Sequence, residues 1–387
     1  MRILHVIHSL DFGLGGPPVV ATHLAAQQAQ CGHEVGIIAT ESAQDEARVE
    51  ALREQLPGFD QVSLFSCPNL PLKEFAGWGP GLALLKKLLD RRVFVHLHGV
   101  WDPLIKSAAH WMLRLGGAYG IAPHGMLDPW CLRQKRLKKE IALRLGVKAV
   151  LNNAAFVHVL TENEGRQVEK IARNTRVATI PNGVDLGEVD NQETLDIHDI
   201  LPELGGHRYI LFLGRLHHKK GLDLLMAAFR RIAEQHDAVD LVIAGADFGE
   251  RSTIERNVSD RPLKRRVHLP GPLYGSRKLS VLKNAACFCL PSRSEGFSVA
   301  VVEALACRVP VVISEQCYFP EVAGAGAGIV VPLNTDALID GLAAFLSDAE
   351  KCRSAGGAGR RLVERRYTWP VVADRAVDAY EQFGLVR

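Results

Sequence analysis

Residues 287–306 read CFCLPSRSEGFSVAVVEALA, and this stretch decides the fold class. It begins with an uncharged apolar run, Cys287–Leu290. It continues through a polar turn that contains Gly296 and ends in an apolar segment with helical spacing that starts near Ser298. A short apolar run followed directly by a helix is typical of a parallel strand that is buried on both faces. The stretch therefore predicts a strand, a tight turn and a helix of an α/β domain.

The same alternation extends over the whole chain. We predict seven strands in its first half: Ile3–Ile7, Val35–Thr40, Val62–Phe65, Val93–Leu97, Ile121–Pro123, Phe156–Leu160 and Val177–Ile180. A polar, acidic stretch from Leu186 to about Gly206 precedes six more: Tyr209–Leu213, Leu241–Ala244, Val267–Leu269, Cys287–Leu290, Val311–Ile313 and Ile329–Val331. This pattern predicts two Rossmann-like doubly wound α/β domains, residues 1–183 and 184–368. Because ligands bind at the carboxyl ends of such strands, we expect the site in a cleft between the domains.

Composition and charge limit the class of protein, its partners and its cellular compartment. The chain has 387 residues, 47% of them apolar and 23% charged, which is globular and too long for one ordinary core. A formal net charge of +3 does not favour nucleic acid as a partner. Eight cysteines without a C-x-x-C pair indicate thiols in a reducing compartment. Because the sequence shows no signal peptide and no bilayer-spanning segment, we expect a cytoplasmic protein, or one peripheral on the inner membrane face.

The turn after Leu290 has the features of a phosphate site. The start of the following helix offers free backbone N–H groups at Gly296, Phe297, Ser298 and Val299, and the helix dipole strengthens their attraction for an anion. Glu303 lies about one and a half turns further along. We expect its carboxylate to accept hydrogen bonds from a ribose diol, because an unpaired carboxylate in an apolar helix is costly.

Two other turns contain glycines at the ends of predicted strands. Gly214–Gly221, GRLHHKKG, follows a strand and carries Arg215 and Lys220, two cations that we expect to converge on a diphosphate. The first turn contains Gly15 and Gly16 but continues with two prolines, so it departs from the dinucleotide pattern G-x-G-x-x-G. Its glycines still allow the backbone to approach a ligand closely.

Together these residues resemble a family, the retaining nucleotide-sugar glycosyltransferases of the GT-B fold. The resemblance rests on the E-x7-E pair Glu295 and Glu303, on the segment Gly214–Gly221, on IPNGVD at 180–185 and on the turn at Gly15 and Gly16. It covers nearly the whole chain. The sequence PHGMLDPWCLRQKRLKK, residues 123–139, is similar to members that build bacterial surface polysaccharides.

The resemblance implies a role for each matching residue. Arg215 and Lys220 would bind the donor diphosphate, and Glu303 would accept from the ribose hydroxyls. Glu295 would meet the donor sugar beside the N–H groups of Gly296 and Phe297. The same resemblance places His124 near that sugar, and it implies that Gly15, Gly16 and Ser298 also contribute to donor binding.

The function implied is transfer of a sugar, with retained anomeric configuration, from a nucleoside diphosphate sugar to a glycan or lipid-linked acceptor in bacterial polysaccharide synthesis. Residues 1–183 would hold the acceptor and 184–368 the donor. YTWP at 367–370 resembles the family's crossover, after which residues 369–387 return to the first domain. A nucleotide-sugar 2-epimerase of the same fold and a non-catalytic binding module remain alternatives.

We expect no metal and no cofactor. The sequence has no D-x-D motif, and Arg215, Lys220 and the helix start would supply the charge that a metal otherwise provides. His96 and His98 alternate along a strand like a pair of metal ligands, but the sequence shows no third ligand. We therefore expect a structural His96 and a His98 that lines the acceptor site.

A basic segment completes the sequence-based predictions. Between Trp130 and Lys148 lie seven basic residues and a single acidic one: Arg133, Lys135, Arg136, Lys138, Lys139, Arg144 and Lys148, with Glu140. Trp130, Leu137, Ile141 and Leu145 fall at helical spacing. The segment is either a basic amphipathic helix that lies on an anionic membrane surface or an ordinary helix whose apolar stripe faces the core.

Overall fold

Every apolar run singled out above forms a parallel strand in the computed structural model, which describes residues 1–11, 13, 15–40, 45–67, 80–258 and 261–384. The thirteen strands are β1 Arg2–Ile7, β2 Glu34–Thr40, β3 Ser63–Cys67, β4 Val93–His98, β5 Tyr119–Ala122, β6 Phe156–Val159, β7 Val177–Thr179, β8 Arg208–Leu213, β9 Val239–Ala244, β10 Val267–Gly271, β11 Cys287–Leu290, β12 Val311–Ser314 and β13 Gly328–Val331. The chain divides into two compact units. Unit 1 is Met1–Gly183 with Trp369–Arg387, and unit 2 is Val184–Thr368.

Helices connect the strands. In unit 1 the described α-helices are α1 Gly16–Gln30, α2 Asp45–Gln55, α3 Pro80–Leu88, α4 Pro103–Leu115, α5 Pro129–Arg133, α6 Arg136–Ala142, α7 Lys148–Asn153 and α8 Glu162–Ile171. Those of unit 2 are α9 Leu186–Asn191, α10 Ile197–Ile200, α11 Leu222–Gln235, α12 Arg251–Asn257, α13 Arg261–Lys264, α14 Gly275–Lys283, α15 Val299–Ala306, α16 Glu321–Gly324, α17 Thr335–Leu346 and α18 Ala349–Arg366. The last helix, α19 Trp369–Gly384, belongs to unit 1. In the described ranges no helix is both long and apolar enough to cross a bilayer.

Each unit contains one parallel sheet. The strand order is β3-β2-β1-β4-β5-β6-β7 in unit 1 and β10-β9-β8-β11-β12-β13 in unit 2. In both sheets the first strand of the unit lies in the interior, and the order reverses beside it. Helices pack on both faces of the sheet in unit 1, where separate apolar clusters lie on either side. The prediction of two Rossmann-like doubly wound α/β domains is thus confirmed.

The reversal of strand order places the functional loops. In open parallel sheets a crevice forms where neighbouring connections leave in opposite directions, at the carboxyl ends of the strands. In unit 2 this point lies between β8 and β11, so the loop after Leu213 and the loop after Leu290 flank it. In unit 1 it lies between β1 and β4, beside the turn that contains Gly15.

Helix α19 completes the core of unit 1. Its Tyr380 is fully buried and stacks on Phe94 of β4, with ring centroids 4.3 Å apart. The approach at the start of the helix is close, because a Cβ on Gly183 would lie 2.6 Å from a ring carbon of Trp369. The C-terminal segment is therefore an integral part of unit 1.

The two loops of unit 2 are pressed together at Gly221. This glycine has φ +67°, and a Cβ there would lie only 2.0 Å from the carbonyl oxygen of Pro291. The same loops are joined at Lys219, whose carbonyl accepts from the backbone N–H of Arg293 at 2.6 Å and from the Ser292 hydroxyl at 2.9 Å. A side chain at position 221 would separate the two loops.

This contact can be tested against a matched glycine. Gly326 has φ +68° but open space around its missing Cβ, so Gly326→Ala should lower the free energy of unfolding by only the left-handed backbone cost, about 1–2 kcal/mol. Gly221→Ala should cost about 1–3 kcal/mol more, because the new methyl group overlaps Pro291. Urea unfolding followed by far-UV circular dichroism measures the difference. Equal losses in both variants would show that the loops are not held together at this point.

Candidate functional site

The centre of the candidate site in unit 2 is an ion pair across the switch point. Lys220 Nζ lies 2.7 Å from Glu295 Oε1, with side-chain exposures of 18% and 8%. Lys220 comes from the loop after β8 and Glu295 from the loop after β11. The Glu295 backbone N–H also donates to the Gln316 carbonyl at 3.1 Å, which fixes its loop to the strand connection beyond. The structure thus joins two residues that the sequence placed in separate motifs.

Helix α15 begins beside this ion pair with its end uncapped. The Ser298 side chain makes no capping hydrogen bond, and within the described chain the backbone N–H groups of Gly296, Phe297 and Ser298 have no recorded acceptor. The Phe297 ring packs against Phe319 and Tyr367 and anchors the turn. A helix start with free N–H groups binds an anion well.

Glu303 projects from α15 to a partner that the sequence did not indicate. Its Oε1 lies 2.8 Å from Nζ of Lys278 on α14, and both side chains are about one fifth exposed. Burial acts to lower the pKa of Lys278, but the charge of Glu303 and its hydrogen bond outweigh this, so the pKa of Lys278 lies above its usual value. One Glu303 oxygen is used in this pair, and the carboxylate has a second oxygen for a ligand. No motif surrounds Lys278, so only the fold identifies it.

Arg215 makes a different contact. Its guanidinium lies over the Phe248 ring, 5.4 Å from the centroid, and both residues are exposed. Arg293, within the turn, forms a bidentate pair with Asp223 at 2.8 and 2.7 Å. Arg293 therefore fastens the loop to the start of α11, whereas Arg215 remains accessible on the surface of the unit.

In unit 1 the glycine turn leads directly into α1. Gly15 has φ +107°, and a Cβ on Gly15 or Gly16 would meet nothing within 4 Å. Pro17 and Pro18 form the first turn of the helix and have no N–H, so they remove two of the donors that a helix start usually offers. This turn can therefore contact an anion only through the few remaining N–H groups.

His124 follows β5 in a strained conformation. Its φ is +52°, in the left-handed region that is costly for a residue with a Cβ. The buried Glu164 holds the loop by accepting from the backbone N–H groups of Gly125 and Leu160, both at 2.7 Å. Burial raises the pKa of Glu164 despite these two bonds. A strained histidine held at the end of a strand fits a residue that must present its ring in one orientation.

The structure corrects the expectation about His98. His98 is only 2% exposed, so it does not line an open surface, and it reaches His124 through a hydrogen bond of 3.0 Å between His98 Nδ1 and His124 Nε2. The structure also adds a third histidine to the pair that the sequence indicated, because His5 on β1 lies beside His96 and His98, with one ring nitrogen of each within 4.8 Å of the others. Sequence reasoning missed His5 because the three residues meet only when β1 and β4 pair.

The basic segment is not one continuous helix. It breaks after α5, where Lys135 has φ +52°, and again at Gly146, where the backbone leaves helical geometry within a π-helical turn, Leu143–Val147. Three apolar side chains at i, i+4 and i+8 face outward: Leu137, Ile141 and Leu145, with exposures of 77%, 56% and 63%. The alternative with this stripe on the core is therefore excluded for these three residues.

One lysine of the segment is held by its own unit. Lys139 Nζ donates to the Cys131 carbonyl at 2.7 Å and lies 5.4 Å from the Trp101 ring centroid. Lys135, Arg136 and Lys138 are exposed and surround the apolar stripe. The segment is an exposed apolar stripe with a cationic border.

Comparison with known protein families gives matches to both parts of the chain. Residues 14–188 match the model described as Glycosyltransferase Family 4, and residues 194–362 match the model described as Glycosyl transferases group 1. A phosphatidyl-myo-inositol mannosyltransferase of Mycobacterium leprae is 30% identical over 293 residues, 74% of this chain and 72% of the relative.

Two further similarities extend over nearly the full length. A GDP-mannose:cellobiosyl-diphosphopolyprenol alpha-mannosyltransferase of Xanthomonas campestris is 24% identical over 98% of this chain and 96% of its own. Among solved structures, the Anabaena protein HepE in complex with UDP matches 99% of this chain and 100% of its own, with a TM-score of 0.77 at 16% identity. The last similarity concerns the fold alone.

Proposed function

The chain belongs to the GT-B glycosyltransferases, and from this premise we propose that it is a retaining, metal-independent enzyme. It transfers a sugar from a nucleoside diphosphate sugar to a glycan or lipid-linked acceptor in bacterial polysaccharide synthesis. One observation supports the proposal above the others. The partly buried Lys220–Glu295 ion pair lies at the switch point of unit 2, next to a helix start whose N–H groups have no acceptor among the described residues. This arrangement suits a diphosphate next to a sugar.

The cations have the role of stabilising the leaving group. As the bond between the anomeric carbon and the phosphate oxygen breaks, the bonding pair stays on the nucleoside diphosphate and its negative charge grows. Lys220, Arg215 and the N–H groups at Gly296–Val299 are proposed to stabilise that charge, which is the contribution that a metal would otherwise make. Arg215 is exposed, and among the described residues its guanidinium contacts the Phe248 ring and no carboxylate, so it can turn to a phosphate.

The two carboxylates are proposed to bind the sugar and the ribose of the donor. Glu295 contacts the sugar from the side of the diphosphate, and Glu303 accepts from the ribose hydroxyls with the oxygen that Lys278 leaves available. His124, Gly15 and Gly16 contribute from unit 1. The new bond forms between the anomeric carbon and the acceptor oxygen on the face that the phosphate leaves, and the acceptor proton passes to the departing phosphate oxygen.

The names of two relatives support a lipid-linked acceptor. One is named for phosphatidyl-myo-inositol and the other for a cellobiosyl-diphosphopolyprenol, and the second also names GDP-mannose as donor. We propose the same classes for this chain: a guanosine diphosphate sugar as donor and a sugar or polyol on a lipid as acceptor.

Glu303→Gln tests the donor site. The glutamine amide keeps one acceptor oxygen, which Lys278 occupies, and it presents its NH2 group to the ribose, so the hydrogen bond from a ribose hydroxyl to an ionised acceptor is lost. That loss costs about 1.5–3 kcal/mol, so GDP or UDP, whichever the wild type binds, should bind about 10- to 150-fold more weakly. Isothermal titration calorimetry measures both affinities. The matched control is Glu255→Gln, which removes the charge of a glutamate paired with Arg251 at 2.9 Å on the surface of the same unit.

The control should bind the nucleotide like the wild type, and both variants should give the same far-UV circular dichroism. An unchanged affinity in Glu303→Gln would remove the ribose assignment. An equal loss in both variants would mean that the effect comes from net charge and not from a contact.

We also propose that the segment from Trp130 to Lys148 contacts an anionic membrane surface. Leu137, Ile141 and Leu145 are exposed and lie among basic side chains, which is the composition of an interfacial contact. Attraction of this kind contributes about 1 kcal/mol per basic residue near the surface and is screened over about 8 Å at physiological salt. Such a contact would bring the enzyme to a lipid-linked acceptor.

Replacing Lys135, Arg136 and Lys138 together by glutamine should weaken binding to phosphatidylglycerol-containing vesicles by about 3 kcal/mol, or roughly 150-fold, without changing nucleotide affinity. Co-sedimentation with the vesicles measures the change. The control removes three exposed basic residues of unit 2, Lys264, Arg265 and Arg361, and should leave vesicle binding near the wild-type value. Equal binding to neutral and anionic vesicles, or equal losses in both triple variants, would contradict the membrane proposal.

A further inference from the structure

Unit 1 contains five histidines that lie close together at the carboxyl half of its sheet: His5, His96, His98, His124 and His158. Four of them are fully buried or nearly so, and His124 is partly buried. His5 and His96 are register partners on β1 and β4. None of the roles assigned above explains why so many titratable rings are placed together in a core.

The rings are linked into a chain of hydrogen bonds, and one end of this hydrogen-bond chain is the backbone carbonyl of Ile180. His158 Nε2 lies 2.7 Å from the Ile180 carbonyl oxygen, which can only accept, so His158 must be protonated on Nε2. In a neutral ring Nδ1 is then the acceptor, and it receives the Nε2–H of His96 at 3.2 Å. His96 Nδ1 in turn accepts from the Tyr380 hydroxyl at 2.7 Å.

The hydrogen-bond chain continues in the same direction on the other side of Tyr380. The Tyr380 oxygen accepts from the Gln28 amide nitrogen at 3.1 Å, and the Gln28 carbonyl oxygen accepts from His5 Nε2 at 2.8 Å. His5 Nδ1 then accepts from His98 Nε2 at 2.9 Å, and His98 Nδ1 accepts from His124 Nε2 at 3.0 Å. Each of the seven hydrogen bonds has one donor and one acceptor with all rings neutral.

Burial favours the neutral rings. It lowers the pKa of His5 and of His158 to about 4 and that of His124 to about 3, and the pKa values of His96 and His98 also lie well below the usual range. Reversing the Gln28 amide would reverse every bond between it and His158. His158 would then have to donate through both nitrogens and become a buried cation. The carbonyl of Ile180 therefore sets the direction of the whole chain.

We propose that this directed chain fixes the tautomer of His124, with the proton on Nε2 and a bare Nδ1. Tyr380 and Gln28 act as positioning residues, and Tyr380 connects the C-terminal helix to the site. Bare Nδ1 can only accept, so it selects a hydroxyl donor, as a sugar offers. What Nδ1 accepts rests on the proposed function, whereas the tautomer does not.

The same nitrogens of His5, His96 and His98 are close enough to hold a metal ion. The hydrogen-bond chain favours the other interpretation, because every nitrogen of those three rings already has a partner. A metal would need three lone pairs that these bonds use. Metal analysis of the purified protein separates the two, and one equivalent of bound transition metal would overturn the proposal.

The direct test is nuclear magnetic resonance of the full chain labelled with ¹⁵N in its histidine rings. Two-bond ¹H–¹⁵N correlations distinguish the two neutral tautomers from the cation, and the His124 signals are those lost in His124→Asn. The wild type should show one tautomer at His124, protonated on Nε2. A His124 ring protonated on Nδ1, or a cation at neutral pH, would overturn the proposal.

Tyr380→Phe removes the link that orients Gln28, so His124 should then show both tautomers. The matched control is Tyr119→Phe. Tyr119 is equally buried in the same unit and donates to the Val150 carbonyl at 2.7 Å, outside the chain of rings. This variant should keep the single tautomer of the wild type. A single Nε2–H tautomer in Tyr380→Phe as well would show that Tyr380 does not set it.

A binding measurement tests the use of Nδ1. Tyr380→Phe should bind GDP-mannose or UDP-glucose, whichever the wild type binds, about 2- to 10-fold more weakly, while its affinity for GDP or UDP alone stays unchanged. Unchanged sugar-nucleotide affinity would overturn the role in sugar recognition. The tautomer experiment needs no substrate. Failure of the proposed function would appear instead as absence of nucleotide binding by the wild type.

Discussion

A carboxylate that is removed from water needs a partner, and the candidate site of unit 2 depends on how Glu295 finds one. Breaking a buried ion pair leaves an uncompensated charge that costs several kcal/mol, so Glu295 and Lys220 hold their two loops together. The close approach at Gly221 and the hydrogen bonds to the Lys219 carbonyl connect the same two loops. The pair also keeps a cation at the switch point, beside N–H groups that have no acceptor in the described part of the chain. A diphosphate that arrives there would meet positive charge that is already in place and needs little rearrangement.

In unit 1 the buried histidine rings also need partners, and they find them in hydrogen bonds between neutral groups. Its buried rings are neutral, and a chain of hydrogen bonds anchored on the Ile180 carbonyl gives them a single direction. The strain at His124 and the two bonds of Glu164 then hold the last ring in place. The last helix supplies Tyr380, so the return of the C-terminus to unit 1 contributes to the hydrogen-bond chain and to the core. In both units, residues distant in sequence orient the side chain that we propose to contact the ligand.

The sequence predicted the strands, the two domains and the loops that flank the switch points, because burial of parallel strands leaves a clear apolar pattern. It also predicted Glu295 and Lys220, but not that they pair. The sequence analysis did not identify Lys278, Gln28 or Tyr380, because each lies inside an ordinary helix and becomes a partner only through packing. It also missed the third histidine, His5, because the spacing of residues along the sequence does not reveal which strands are neighbours. The basic segment was predicted as one helix, and the positive φ of Lys135 and the turn at Gly146 break it.

The central claim, sugar transfer from a nucleoside diphosphate with retention, can be tested before the acceptor is known, with water as a substitute acceptor. The purified protein is incubated with a panel of α-linked donors, GDP-mannose first, in the presence of EDTA, and ¹H nuclear magnetic resonance follows the anomeric proton of the released sugar before mutarotation. The account predicts that the α anomer of the donor's own sugar appears first. A β anomer, a sugar epimerised at C2, cleavage that requires added magnesium or manganese, or no cleavage of any donor would contradict it.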